Sequence, residues 1–416
     1  MRAPSLRLLA ALAAIGALSA AVLSGCGKGR SVGGSHGSES SSVAVGSQGV
    51  VGISTKNTTR LGGSAPSDDA AAVAQAVFPG YTPATRPQTV VLVDQHDWPA
   101  ALAASSLASA PLGAPILYAD GNSLPDASSQ ALSAMHPIGA AALGGAQVLA
   151  IGTAAAAGGG LRARSVEVSG EPAADAAAVL KQFQASHGVR TREVIVVASD
   201  APRALQMPAA ALSAESDAPI LFVRHGSVPP ATAAALKSLH GPTIYVLAPT
   251  TLGKAAYAAL KALGSVVHVT GATGAGESSG ANENSDPVEN AISVSRFSHG
   301  SFGWGIHEAG HGLVFANVSR PLDAPAAAPL AAHGDYGPLL LLADSASVPA
   351  ALTHYLSDIE PGYTAAAPPV REVYNHGWLI GDEQAISALA QAELDTVLEI
   401  APRQPSAAEQ SVASAE

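Results

Sequence analysis

The chain carries one cysteine, Cys26, in 416 residues, and it is poor in aromatic (4%) and charged (13%) side chains. One thiol cannot pair within the chain, so a disulfide framework is excluded. Basic residues are outnumbered, 21 Lys and Arg against 32 Asp and Glu, for a formal net charge of -11. No nucleic-acid partner is expected, because that task needs a basic footprint against phosphate. What abounds instead is apolar or conformationally special: 48% hydrophobic residues, 42 Gly and 29 Pro. That apolar fraction excludes disorder over most of the chain, and the length suffices for several buried cores.

Residues 1–25 read as an export signal. Arg2 and Arg7 form a basic start, and Leu8 to Val22 is an uncharged apolar stretch of 15 residues, too short for an easy membrane span. It ends in Leu23-Ser24-Gly25-Cys26, which resembles the lipobox of bacterial lipoproteins. The resemblance implies that the Cys26 sulfur takes a diacylglyceryl group and that Cys26 becomes the mature N-terminus. More than one acyl chain makes such anchoring durable, so the expected place is the outer face of the cytoplasmic membrane. Residues 26–56 are rich in Gly and Ser and cannot offset the ordering entropy of a packed fold, which makes them a flexible tether. Gly33 to Gly37 matches G-x-S-x-G, but the low-complexity sequence around it lacks the strand and helix a nucleophile elbow needs.

Beyond the tether, one order of signals recurs three times. VVLVDQ from Val90, PILYAD from Pro115 and SLPDASSQAL from Ser123 are followed by VIVVASD from Val194, PILFVR from Pro219 and SVPPATAAAL from Ser227. The third set is LVFANVS from Leu313, PLLLLAD from Pro338 and SVPAALTHYL from Ser347. The Pro anchors lie 104 and 119 residues apart and the Ser anchors 104 and 120. Each unit also opens alike, with a short strand ending in Gly and a helix closing on Phe78, Phe183 or Phe297. Apolar runs bounded by Gly, Pro or Asp are what buried parallel strands look like, and Ala-rich segments between them suit helices packed closely on a sheet. The Pro of each S-x-P is expected in the first helical turn. Strand and helix alternation predicts an α/β fold: three tandem small three-layer α/β domains with mainly parallel sheets, at residues 57–166, 167–270 and 271–400, with a disordered tail at 401–416.

This order resembles the cell wall binding repeat 2 family over about residues 57–400. The features that carry the likeness are the R-L-G-G start at Arg60, the P-I-L strand, the S-L-P helix start, Asp323-Ala324 after a Pro, and the closing Gly377-Trp378-Leu379-Ile380-Gly381-Asp382. The family's Asp-Ala pair survives only in the third copy, since the first has Ala100 there. The resemblance implies a pseudo-threefold arrangement that binds a cell-wall polymer or peptidoglycan-linked glycan non-covalently near the domain interfaces. It also implies no enzymatic activity and no cofactor, and it makes Asp323 a candidate ligand residue.

Charge is unevenly divided. The first unit has four basic and six acidic residues, the second eight and seven, and the third three and sixteen, for a net of -13 in the third. An anionic polymer would be repelled by the third unit unless divalent cations bridge it, and would be held near the second, where Arg190, Arg192, Arg203 and Arg224 are the candidates. A neutral or cationic glycan is the alternative ligand.

His307-Glu308-Ala309-Gly310-His311 matches H-E-x-x-H, which on a helix places two His on zinc with the Glu activating water. This offers a second reading, a zinc-dependent envelope hydrolase, in which no third ligand stands out at a familiar spacing although His333, Asp335 and His354 lie downstream. Gly300, Gly303, Gly305, Gly310 and Gly312 oppose the helix it requires, and no metal site is expected. Val269 to Gly276 looks like a dinucleotide-binding turn, but the polar linker ESSGANENSD follows where a helix should start. A third reading is a solute-binding lipoprotein that uses clefts between the α/β units.

Overall fold

The computed structural model describes residues 53–155, 160–188, 191–270, 285–332, 336–363 and 373–402. Cys26, Arg190, the Gly-rich segment after Thr270, His333 and Asp335 lie outside them.

The chain enters through β1 (Ile53–Ser54) and β2 (Thr58–Leu61), then α1 (Pro66–Val77), β3 (Val90–Asp94), α2 (Trp98–Ala104), β4 (Ile116–Ala119), α3 (Asp126–Met135) and β5 (Val148–Ile151). The same order repeats as β6 (Ala163–Val166), α4 (Pro172–His187), β7 (Glu193–Ala198), the short α5 (Arg203–Gln206) with α6 (Pro208–Ser216), β8 (Ile220–Val223), α7 (Pro230–Ser238), β9 (Thr243–Val246) and α8 (Lys254–Lys261). It continues with β10 (Ser265–His268), α9 (Pro287–Arg296), β11 (Gly312–Asn317), α10 (Asp323–Ala332), β12 (Tyr336–Leu342), α11 (Ala350–Asp358), β13 (Gly362–Tyr363), β14 (His376–Ile380), α12 (Ala388–Val397) and β15 (Ala401–Pro402).

The apolar runs become sheet centres for a simple reason. Val90–Val93, Ile220–Val223 and Leu339–Leu342 are buried on both faces, which only a parallel sheet with helices on either side provides. Each such side chain contributes about 1.5–3 kcal/mol by leaving water. Three main sheets result, ordered β4-β3-β5-β6, β8-β7-β9-β10 and β12-β11-β14-β2-β1. All pairings in them are parallel except the short β1–β2 pair. Ala401–Pro402, expected in the tail, pairs with Gly362–Tyr363 in a small separate sheet.

The strand that leads into each opening helix completes another repeat's sheet, so by strand order the second and third repeats start at Ala163 and Ser265 rather than at 167 and 271. β6 leads into α4 yet pairs with β5, β10 leads toward α9 yet pairs with β9, and β2 leads into α1 yet pairs with β14. The opening helices follow suit: α4 packs on α2 as well as on β8, α9 on α5 and α6 as well as on β12, and α1 on α10 as well as on β4. The three repeats are therefore linked in a closed cycle. Equivalent helices meet at its centre, where α6, α10 and the 3-10 turn Ser105–Ala108 pack together through fully buried Ala209, Ala210, Leu107, Ala324 and Ala328. Alanines there permit close approach and carry no side-chain entropy to lose.

Closure depends on Arg60, the first residue of the R-L-G-G start. It is 5% exposed, and its guanidinium donates to the carbonyls of Gly381 (3.1 Å), Asp382 (2.7 Å) and Ile386 (2.7 Å) and to Gln391 Oε1 (2.8 Å). Just before it, the Asn57 amide and the Thr55 hydroxyl donate to Asp395 Oδ1 on α12 at 2.7 and 2.6 Å, and Lys56 pairs with Glu399.

Two local expectations shift. Pro125, Pro229 and Pro349 occupy the N-cap rather than the first turn, with ψ of 150°, 151° and 142°, an extended value that a Pro can hold just before a helix. Phe78 and Phe297 close their helices as expected, but α4 runs on to His187, so Phe183 lies inside it and fully buried.

Candidate functional site: the crevices between repeats

In each main sheet the chain leaves the second strand in one direction and returns on its other side, so β3 lies between β4 and β5, β7 between β8 and β9, and β11 between β12 and β14. Such a reversal leaves a crevice beyond the carboxyl ends of the strands, where open α/β sheets take ligands. The opening helix of the following repeat brings one polar side chain to each crevice. Asp69, Asp175 and Asn290 each stand three residues after the first Pro of α1, α4 and α9, and are 0%, 1% and 0% exposed.

The crevice between third and first repeats is filled by protein. Arg320, following β11, donates from Nη2 to Asp69 Oδ2 at 2.5 Å, from Nε to Asp323 Oδ2 at 3.0 Å and from Nη1 to the Ser64 carbonyl at 3.1 Å. The Gly63 amide donates to Asp69 Oδ1 at 2.9 Å. Burial pushes Asp69 above the usual carboxylate range, opposed by Arg320. Asp323 is pushed well above it, by burial first and by the Asp69 charge second. Asp323 Oδ1 is buried with no donor aimed at it, and the one guanidinium faces both carboxyl groups. At Gly381, φ +95°, a Cβ would lie 2.6 Å from the Ala385 Cβ, and Arg320 Nε is 3.4 Å away.

The crevice between first and second repeats has the same frame with different chemistry. Asp97 occupies the place of Arg320, each donating its amide to the residue that ends the central strand (Asp94 or Asn317) at 3.0 Å. Ala100 then stands where Asp323 does, as the sequence alignment has it. Asp175 Oδ1 accepts from the Ser169 amide (2.6 Å) and hydroxyl (2.9 Å), while Asp175 Oδ2 is buried without a partner. Asp97 Oδ1 accepts from the Ala100 amide at 3.1 Å. Burial pushes the Asp97 carboxyl up, the Ala100 amide opposes this, and the charges of Asp175 and Asp94 raise it further. Gly152 is the counterpart of Gly381; its Cβ would lie 2.5 Å from Val168 Cγ2 and 3.9 Å from Asp97 Oδ2. The crevice between second and third repeats has Ala201 at this position, and Asn290 Nδ2 donates to the Leu205 carbonyl at 3.1 Å.

The residues singled out in the sequence are dispersed. Arg192 is exposed before β7, whereas Arg203 and Arg224 are exposed beyond the carboxyl ends of β7 and β8, so the strand length separates them. Arg224 pairs with Glu171 at 3.7 Å. Asp323 is in the filled crevice. His307, Glu308 and His311 lie in an irregular segment before β11, not on a helix, so the two His do not project from one helical face. Among the described residues no three His, Cys, Asp or Glu side chains come together as a metal-holding group. Asp69, Asp97, Asp175 and Arg320 were not singled out; the available signal was a Pro-x-x-Asp or Pro-x-x-Asn opening to each repeat's first helix.

A closed cycle of three α/β units with crevices at the junctions defines the architectural class. Two solved structures share it: Cwp6 from Clostridium difficile, with a TM-score of 0.59, 17% identity and coverage of 82% of this chain and 48% of that one, and Cwp8 from Clostridium difficile, with a TM-score of 0.57, 17% identity and coverage of 83% and 52%. The chain thus spans about half the length of each. No family model matches the chain, and no curated protein does.

Proposed function

We propose that this protein is a lipid-anchored, non-catalytic binder of a cell-wall polymer on the outer face of the cytoplasmic membrane. The observation that carries the reading is the fold, shared over more than four-fifths of this chain with two cell wall proteins. The lipobox-like Leu23–Cys26 and the tether at residues 26–56 agree with that place and would hold three units, 57–166, 167–270 and 271–400, away from the membrane. The polymer is taken at the junction crevices, each of which holds one buried polar atom without a partner, Asp175 Oδ2, Asn290 Oδ1 or Asp323 Oδ1.

Two experiments test this. The mature chain incubated with purified cell wall, with and without EDTA, is expected to sediment with it; no retention under either condition refutes wall binding. Cys26→Ala is expected to release the protein from the membrane fraction, and unchanged membrane retention refutes the anchor.

A further inference from the structure

We propose that the crevice between first and second repeats receives a primary ammonium group, supplying from a ligand the positive charge that Arg320 supplies in the crevice between third and first. The proposal rests on the wall-binding reading and names the ligand class for it: a glycan that carries free amines.

The two crevices argue this by position. Both have a buried carboxylate three residues into the opening helix, Asp69 or Asp175, and a glycine with positive φ opposite, Gly381 (φ +95°) or Gly152 (φ +65°). In one, the guanidinium of Arg320 bridges Asp69 and Asp323. In the other, the Arg320 position is a second carboxylate, Asp97, and among the described residues neither Asp97 nor Asp175 has a basic ion-pair partner. Asp175 is 1% exposed, and its Oδ2 accepts no hydrogen bond. A buried carboxylate oxygen with neither donor nor cation is an unsatisfied acceptor, so the site as it stands is incomplete. Asp97 is half-buried. The donor that completes it must be positive and rich in N–H, which a primary ammonium is. With only two carboxylates and no third ligating side chain, the set suits an organic cation better than a metal ion.

The test is calorimetric titration of the full mature chain with a glucosamine tetramer and with its N-acetylated counterpart, the same sugar without the charge. The amine form is expected to bind, and the acetylated form to bind at least tenfold more weakly. Asp175→Asn and Asp97→Asn are each expected to weaken amine binding tenfold or more; Asn290 shows that asparagine is accommodated at the first position, and thermal melting verifies the fold. Equal binding of both sugars, no binding of the amine, binding of calcium alone, or affinity within twofold in Asp175→Asn overturns the proposal. Sedimentation with chemically N-acetylated wall separates the two readings. Undiminished retention there overturns the amine site and leaves wall binding standing. Loss of retention on every wall, with glucosamine binding intact, does the reverse.

Discussion

The crevices at the two ends of the first repeat are built on one backbone plan and differ at two side chains. Toward the third repeat, Arg320 lies between Asp69 and Asp323 and completes a buried network from within the chain. Toward the second repeat, Asp97 and Ala100 replace Arg320 and Asp323, and Asp175 keeps a buried oxygen without a partner. The first arrangement closes the cycle and the second leaves a charge to be matched. One fold position thus serves cohesion in one copy and is free for recognition in another. That division is available to repeat proteins, because only some junctions need to hold against opening.

Removing the cation from the closed crevice should produce the largest effect. Arg320→Ala leaves Asp69 and Asp323, both 0% exposed, facing each other without compensation, and should destabilise the protein by about 3–5 kcal/mol in urea unfolding. A loss below 1 kcal/mol would mean that the network is not a clasp. The pH dependence should distinguish the closed crevice next. Asp69 and Asp323 are raised in the folded state, so the folded protein binds more protons than the unfolded chain above the ordinary carboxylate range. Their stability contribution is therefore full in acid and lost as the pH rises through the raised values. Asp323→Asn should flatten the fall in unfolding free energy between pH 4 and neutrality, an outcome absent if Asp323 is ionised throughout. A residual slope of the same sign should remain from Glu215, pushed from 4.5 to about 7 by burial and then by the Asp217 and Glu193 charges.

Two smaller changes probe the open crevice. Asp97→Arg grafts the closed chemistry onto it: pairing with Asp175 is gained and the Asp97 cap on the Ala100 amide is lost, so net stability should change by no more than about 1 kcal/mol. The same variant should abolish glucosamine binding, and retained binding would break the equivalence of the two positions. Asp175→Asn should shift stability least, by under about 1 kcal/mol, since the amide oxygen still accepts from Ser169. A large destabilisation in thermal melts would make Asp175 a cohesive residue like Asp69.

The strands and most helices were legible because their cause is local. VVLVD, PILF and LLLL are too apolar to lie anywhere but inside a sheet, and equal offsets exposed the threefold repetition. Asp323 stood out by resemblance as a ligand residue, whereas its place in the fold is beside Arg320 in the filled crevice. Its partners were not legible, because Asp69 and Arg320 are 251 residues apart and neither has a neighbour that marks it as buried. The arginines Arg192, Arg203 and Arg224 illustrate the converse: composition grouped them by unit, while the strand between them holds them at opposite ends of a sheet. The H-E-x-x-H match was readable as a pattern, and its glycines as an obstacle; the irregular backbone from His307 to His311 follows from those glycines.

By itself the sequence determined three copies of a strand and helix order, their parallel sheets, and the uneven charge among them, since each depends on residues within a few turns of one another. Only the tertiary structure decided that the first strand completes the last sheet. Residues 58–61, Thr-Thr-Arg-Leu, have the same character wherever they pair. Their register against Gly377–Ile380 is set by Arg60 reaching carbonyls more than 320 residues away, and by α1 meeting α10. Long-range pairing of this kind carries no local signature, because the energy that selects it appears only when both ends are already in place.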